Sequence, residues 1–260
     1  MYTLSSDPRN AGALIARSVE AAPGDPVIAF AALQACARIS DCDVSAAATR
    51  LYAADPLNGF SVMPELESAV AVDDDRRIDA ALEQMARRSE WRVYWNRAIT
   101  RATDVHLLAA RALPKAEARE LRDEASSHVA ATGVTAGILI PAYRPIMAAC
   151  TVEAGSRRHA RCQEIARGLQ RGDAVITQSV GYSLELELVP AGSPEHQTAA
   201  ERQRELMWLM SSQEPTRQRS SDEFRQLQAA LPREEDVFRE VLRRRGKPTE
   251  PTRGWNPAAG

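Results

Sequence analysis

Lysine is nearly missing from this chain: Lys115 and Lys247 are the only two in 260 residues, and arginine carries almost all the positive charge. We read that bias as base composition of the coding sequence rather than chemistry. Positive charge in surplus is missing too. The formal charge of −2 and a pI near 6.2 exclude the global basic footprint of a nucleic-acid binder. Aromatic residues make up only 5%. β-branched residues are sparse while alanine comes in runs such as Ala46-Ala47-Ala48, and that balance favours helix over strand. No apolar run approaches the roughly 18 to 20 residues that span a bilayer, so no transmembrane segment is expected. The opening residues Met1 to Pro8 have neither a basic n-region nor an apolar h-region, so no signal peptide is expected there. Phosphate-cradling glycine loops, an HExxH pair and a zinc deaminase signature are all lacking, which removes the sharpest enzymatic motifs.

What is present is four cysteines in two close pairs. Cys36 and Cys42 flank Ile39-Ser40, and Cys150 and Cys162 flank Gly155-Ser156. Each pair brackets an expected turn between helices at nearly equal distances, the placement a crosslink across a helical hairpin needs. Four cysteines permit three pairings, and sequence alone does not choose. The hinge geometry favours Cys36–Cys42 and Cys150–Cys162, each stabilising by about 2 to 3 kcal/mol in the chain-entropy model. Such pairs belong in an oxidising compartment, reached through a leader removed before Met1 was placed at the start. The competing reading keeps four reduced thiols buried as small hydrophobes in a cytoplasmic protein. A zinc site using His159 beside Cys162 fits no usual ligand spacing.

Asp-Pro recurs at Asp7-Pro8, Asp25-Pro26 and Asp55-Pro56. Asp caps free amides and proline suits the next position, so each pair predicts a helix start. Helices are expected at 8–22, 26–39, 44–54 with Leu51 and Tyr52 buried, and 57–72. Asp73-Asp74-Asp75 predicts a helix over 76–88. Another is expected to carry Trp91, Tyr94, Trp95 and Ile99 and to continue through 107–113. Residues 115–131 predict a charged helix ended by Gly133. Pro141 and Pro145 predict a break within 135–149. Ser156, Asp173 and Ser193 predict caps for helices over 157–171, 174–189 and 194–211. Short helical patterns follow at 222–231 and 234–244. Residues from Pro248 on are rich in proline and glycine and predict disorder.

Asp25-Pro26 and Asp55-Pro56 stand thirty residues apart, close to the period of helix-turn-helix solenoids. The stretch from Ala22 to Asn58 through Cys36 and Cys42, with Ala149-Cys150, Arg161-Cys162-Gln163, Gly168–Asp173 and Gly181, resembles a group of exported, alanine-rich helical-repeat proteins of xanthomonad-type bacteria. The likeness covers about residues 5 to 212. It is similar to a degenerate tetratricopeptide-like pattern, although the Trp, Gly and Tyr signature positions of that repeat are not filled. The resemblance implies export to the periplasm or envelope and carries no catalytic residue.

The histidines His106, His128, His159 and His196 are scattered and sit in no metal or triad spacing. Gly181-Tyr182-Ser183-Leu184-Glu185 lacks the closing glycine and the strand–turn–helix context of a nucleophile elbow. A carboxylate pair for general acid–base work would need an acid in an apolar pocket, and Glu153 in its Val-Glu-Ala-Gly hinge is the nearest candidate. Trp91, Tyr94 and Trp95 read either as a core stripe or as a hot spot on a concave surface. Trp208, between Met207 and Leu209, reads as core. Trp255, near the terminus, must dock back onto the protein or onto a partner. Arg243-Arg244-Arg245 with Lys247 is a basic run at a helix end.

These readings converge on an all-α chain of antiparallel helix pairs stacked as a tetratricopeptide-like superhelix. A helical-repeat domain over 1–213, a short helical extension over 214–247 and a disordered tail over 248–260 are expected. The expected function is non-catalytic protein binding in the bacterial envelope, with no cofactor, metal or nucleic acid. An immunity protein neutralising a toxin is its concrete form. The alternative is a helical periplasmic hydrolase acting on cell-wall glycan or peptide.

Overall fold

A computed structural model describes residues 17–39, 42–112, 124–212 and 222–255. They are mostly helical and form no β-strand; a lone parallel bridge joins Asn58 to Glu90. After a short helical segment at 17–21 come α1 (Pro26–Cys36), α2 (Val44–Ala54), a 3-10 turn (Gly59–Val62), α3 (Met63–Ala71), α4 (Asp75–Ala86) and α5 (Trp95–Ala112). Then follow α6 (Glu124–Leu139), α7 (Arg144–Ala149), α8 (Arg157–Gln170), α9 (Val175–Leu188), α10 (Pro194–Ser211), α11 (Asp222–Ala230) and α12 (Glu234–Arg244). Most of the 8–22 and 115–131 predictions lies outside the described residues.

Several caps act as the sequence predicts. The Asp25 carboxylate accepts from the Val27 amide at 2.9 Å and Asp74 from Arg77 at 3.1 Å; Asp43, a cap not predicted from the sequence, accepts from Ala46 at 2.9 Å. Ser156 and Ser193 each take the amide three residues on, at 3.1 Å. Asp55-Pro56 does not start a helix. One of its carboxylate oxygens accepts from the Arg92 guanidinium at 3.3 Å. The chain instead turns through Leu57, and Asn58 caps the 3-10 turn at the Phe60 amide. Asp173 does not cap α9 either. The buried Glu234 carboxylate reaches back from the first residue of α12 to the Val175 amide at 3.0 Å, while the Glu234 amide donates to the Asp173 carbonyl.

The chain divides into two compact units. One gathers the described residues up to Val93 with Ile138–Gly168; the other takes Tyr94–Gly137 and the chain from Leu169 on. In the first, α1 packs on α2, α3 on α4, and α3 on α7. Phe60 sits among aromatic rings, edge-on to Phe30 at 5.7 Å, Trp91 at 5.3 Å and Tyr143 at 6.1 Å. In the second, α9 packs on α10, α11 on α5, and both α10 and α11 on α12. Its core gathers Leu206, Leu209, Phe224, Val237, Phe238 and Val241.

Three further expectations are corrected. Residues 91–94 are not helical: Glu90 pairs with Leu57 and Gly59 through the backbone, and Asn58 Nδ2 donates to the Arg92 carbonyl at 2.8 Å. Tyr94 then turns the chain at φ 58°, so the helix begins only at Trp95. Gly133 does not end a helix; α6 runs on to Leu139, and the break falls at residues 140–143, around Pro141. Ser126–Ala149 is long and apolar enough by composition to cross a membrane, contrary to the expectation of no such run. That break divides it into α6 and the six-residue α7, and no uninterrupted helix of spanning length results.

Candidate functional site

The predicted binding aromatics are placed very differently. Trp91 is 2% exposed, and its indole lies in a cradle of two glycines. A Cβ at Gly168 would stand 2.2 Å from Trp91 Nε1, and one at Gly59 would stand 2.7 Å from the far edge of the ring. Tyr94 and Trp95 are also buried. The sequence reading of Trp91, Tyr94 and Trp95 as a surface hot spot gives way to the core reading. Their rings are spent on packing, and Trp91 is not on the helix that begins at Trp95.

Trp255 remains at the surface. Its ring meets Trp208 edge-on at 5.3 Å, and both indoles are half-buried. Trp208 Nε1 lies 3.4 Å from the Pro248 carbonyl, to which it donates, so the segment at Pro248 lies against α10. A turn at Gly254, φ 86°, with the Trp255 amide bonded to the Thr252 carbonyl, aims the indole. Met207 and Met210, either side of Trp208 along α10, are exposed. Residues 248–255 thus have a defined placement where disorder was expected, while 256–260 lie outside the described residues.

A second aromatic and basic patch was not legible beforehand. Tyr52, predicted to be buried, is 47% exposed, and the Arg88 guanidinium lies 4.8 Å above its ring. Arg88 also donates to the Pro56 carbonyl at 2.6 Å, next to the exposed Leu57. Tyrosine and arginine together dominate the energetics of many interfaces. The pairing joins residues thirty-six apart through an irregular turn, and no periodic pattern would have found it.

The basic run at the end of α12 borders a groove of about 580 Å³, floored by Leu227, Ala230 and Leu231. Two of its arginines are ion-paired. Glu240 takes Arg243 and Arg244 at 2.7 Å, and these hydrogen bonds, Arg243 first, push its carboxyl down to about 2. That acid cannot serve as a proton donor near neutrality.

The two side chains weighed for catalysis, Glu153 and Ser183, are placed apart from the settings such roles need. Glu153 is exposed in the turn ahead of α8, not held in an apolar pocket. Ser183 lies within α9, and its hydroxyl accepts from Gln203 Nε2 at 2.8 Å. Among the described residues, no cluster of His, Cys, Asp or Glu could hold a metal ion. His128 is buried beside the Phe224 ring, 6.0 Å between centroids, with Nδ1 3.4 Å from Thr103 Oγ1. The Thr103 proton goes to the Ile99 carbonyl, so His128 Nδ1 must be the donor of that contact. Burial, and then the Arg225 charge, lower its pKa.

The four cysteines meet in the two predicted pairs. Cys36–Cys42 and Cys150–Cys162 stand at disulfide distance, with Cα separations of 5.2 and 5.7 Å. The partners are not symmetric about a hinge, however. Cys36 ends α1 and Cys42 precedes the α2 cap, whereas Cys150 follows α7 and Cys162 lies well inside α8. Comparison of the chain with protein-family models, curated proteins and solved structures gives no match. The helical-repeat resemblance gains no support from those comparisons.

Proposed function

We propose that this protein is a non-catalytic helical scaffold that works in an oxidising, exported compartment by binding another protein. Paired cysteines support the compartment, since thiols at disulfide distance persist as crosslinks only where the surroundings oxidise them. The observation that carries binding is the half-exposed Trp208–Trp255 pair with Met207 and Met210 beside it. Tryptophan and methionine are enriched at protein interfaces because they offer large, adaptable apolar contact area. A toxin-neutralising immunity protein of the bacterial envelope is the concrete form of this reading. Of the tetratricopeptide-like superhelix, the hairpins α1–α2 and α3–α4 are the parts that fit.

The test is affinity capture from a periplasmic extract with the oxidised protein as bait, repeated with Trp255→Ala. A stoichiometric protein partner, lost or weakened more than about tenfold by the substitution, is the expected result. Turnover of purified peptidoglycan by the isolated chain would instead establish the alternative, a cell-wall hydrolase.

A further inference from the structure

The two cysteine pairs differ in how a reagent can reach them. Cys150 is 4% exposed and Cys162 is fully buried. The helix that carries Cys162 is fastened to α4 by a row of ion pairs. Arg158 reaches Asp75 and Asp79 at 2.7 and 2.6 Å, and Arg161 reaches Glu83. Both residues of this pair are buried. Cys36 is buried as well, but its mate Cys42 stands half-exposed in the connection just ahead of the α2 cap. Thiol–disulfide exchange needs access to only one of the two sulfurs. The first pair is therefore open from one end and the second from neither.

We propose that Cys36–Cys42 is a redox-responsive site, opened by a dithiol reductant through attack on Cys42 Sγ while Cys150–Cys162 stays closed. A thiolate of the dithiol bonds to Cys42 Sγ, the Cys36–Cys42 bond breaks, and Cys36 leaves as a thiolate that takes up a proton. The second thiolate of the reductant then attacks its own mixed-disulfide sulfur. Cys42 is released as a thiol and the reductant departs as a cyclic disulfide, so two electrons and two protons pass to the protein. Arg38 lies within the loop that the crosslink closes, and its Nη2 donates to the Ile140 carbonyl at 3.3 Å. Ile140 begins the non-helical segment between α6 and α7. Opening the crosslink frees the loop that carries Arg38. The expected consequence is a local loosening of residues 140–143, with the core of the unit intact.

This inference rests on the oxidising-compartment part of the proposed function and not on protein binding. The experiment is a titration of the oxidised, full-length protein with dithiothreitol, quenched by alkylation and mapped by peptide mass spectrometry, with hydrogen exchange read on the same samples. Cys36 and Cys42 are expected to be alkylated at least about tenfold faster than Cys150 and Cys162. Exchange in the peptide spanning 138–144 should rise at the first step. Equal rates, or Cys150 and Cys162 reacting first, would overturn the inference and leave the compartment reading standing. Alkylation of all four cysteines before any reductant is added would overturn both.

Discussion

The two units solve the same problem by different means. The first, up to Val93 with Ile138–Gly168, holds all four cysteines and seats its largest ring, Trp91, between two glycines. The second contains no cysteine. It ties distant segments together with buried polar groups instead. Asn96 Nδ2 donates to the Leu231 carbonyl at 2.8 Å, Gln228 Nε2 lies 3.4 Å from Asn96 Oδ1, and Glu234 caps α9. A crosslink acts mainly on the unfolded chain and answers to reductant. A buried polar bond acts on the folded state, and breaking one strands its partner in a medium that cannot solvate it. The comparison predicts that redox sensitivity belongs to the first unit and proton sensitivity to the second.

Reduction should produce the largest effect. Two closed loops worth about 2 to 3 kcal/mol each give a loss of about 5 kcal/mol when both are opened. Hydrogen exchange should show that loss in α1, α2 and α8, with α11 and α12 unchanged. An equal loss of protection in both units would dissolve the distinction between them.

Trp91 sharpens the comparison from the packing side. Trp91→Ala should cost about 3 to 5 kcal/mol, because it empties a site that two glycine backbones and Phe60 define. Gly168→Ala should cost about 1 to 3 kcal/mol by the opposite route, forcing a methyl group against the indole nitrogen. Urea unfolding of both variants measures the pair. If the glycine variant were neutral, the cradle would be looser than its geometry indicates.

What could be read from the chain beforehand was whatever has a local cause. Asp25, Asp74, Ser156 and Ser193 cap helices because their acceptors lie within three residues of the amides they satisfy. The cysteine pairing was legible for the same reason. Where a distant residue competes, the local rule loses. Asp55 turns one carboxylate oxygen to Arg92, thirty-seven residues on, and no helix starts there, while Glu234 supplies the α9 cap that Asp173 was expected to give. The aromatic run failed differently. Its spacing suits a helix, but Asn58 and Leu57, far back in the chain, hold residues 90–92 extended. Of the candidate binding residues only Trp255 stays at the surface, and Tyr52 with Arg88 was missed because their pairing depends on an irregular turn.

The Glu234 cap allows the sequence-distant and sequence-local kinds to be weighed directly. Glu234→Ala strands the buried Val175 amide and should cost about 1 to 3 kcal/mol. Ser193→Ala, at a half-buried local cap, should cost about 1 kcal/mol. Thermal or urea unfolding ranks the two. A smaller penalty for Glu234 than for Ser193 would mean that water replaces its carboxylate, and that the polar ties of the second unit are not sealed from solvent.

The subtlest test concerns His128. Its folded pKa lies below the ordinary 6.5, because burial and then the Arg225 charge oppose a second positive charge. In the unfolded chain the ring titrates near 6.5. Between those two values the unfolded state binds more protons than the folded one, so stability falls as pH drops through that range. Above about 6.5 the ring is neutral in both states and contributes no slope. His128→Gln keeps a donor for Thr103 and removes the titration, so it should flatten this part of the stability–pH curve. The Glu240 carboxyl, held at about 2, leaves that window clear. A slope below pH 6.5 that persists in His128→Gln would assign the proton sensitivity to another group and remove the second half of the contrast between the units.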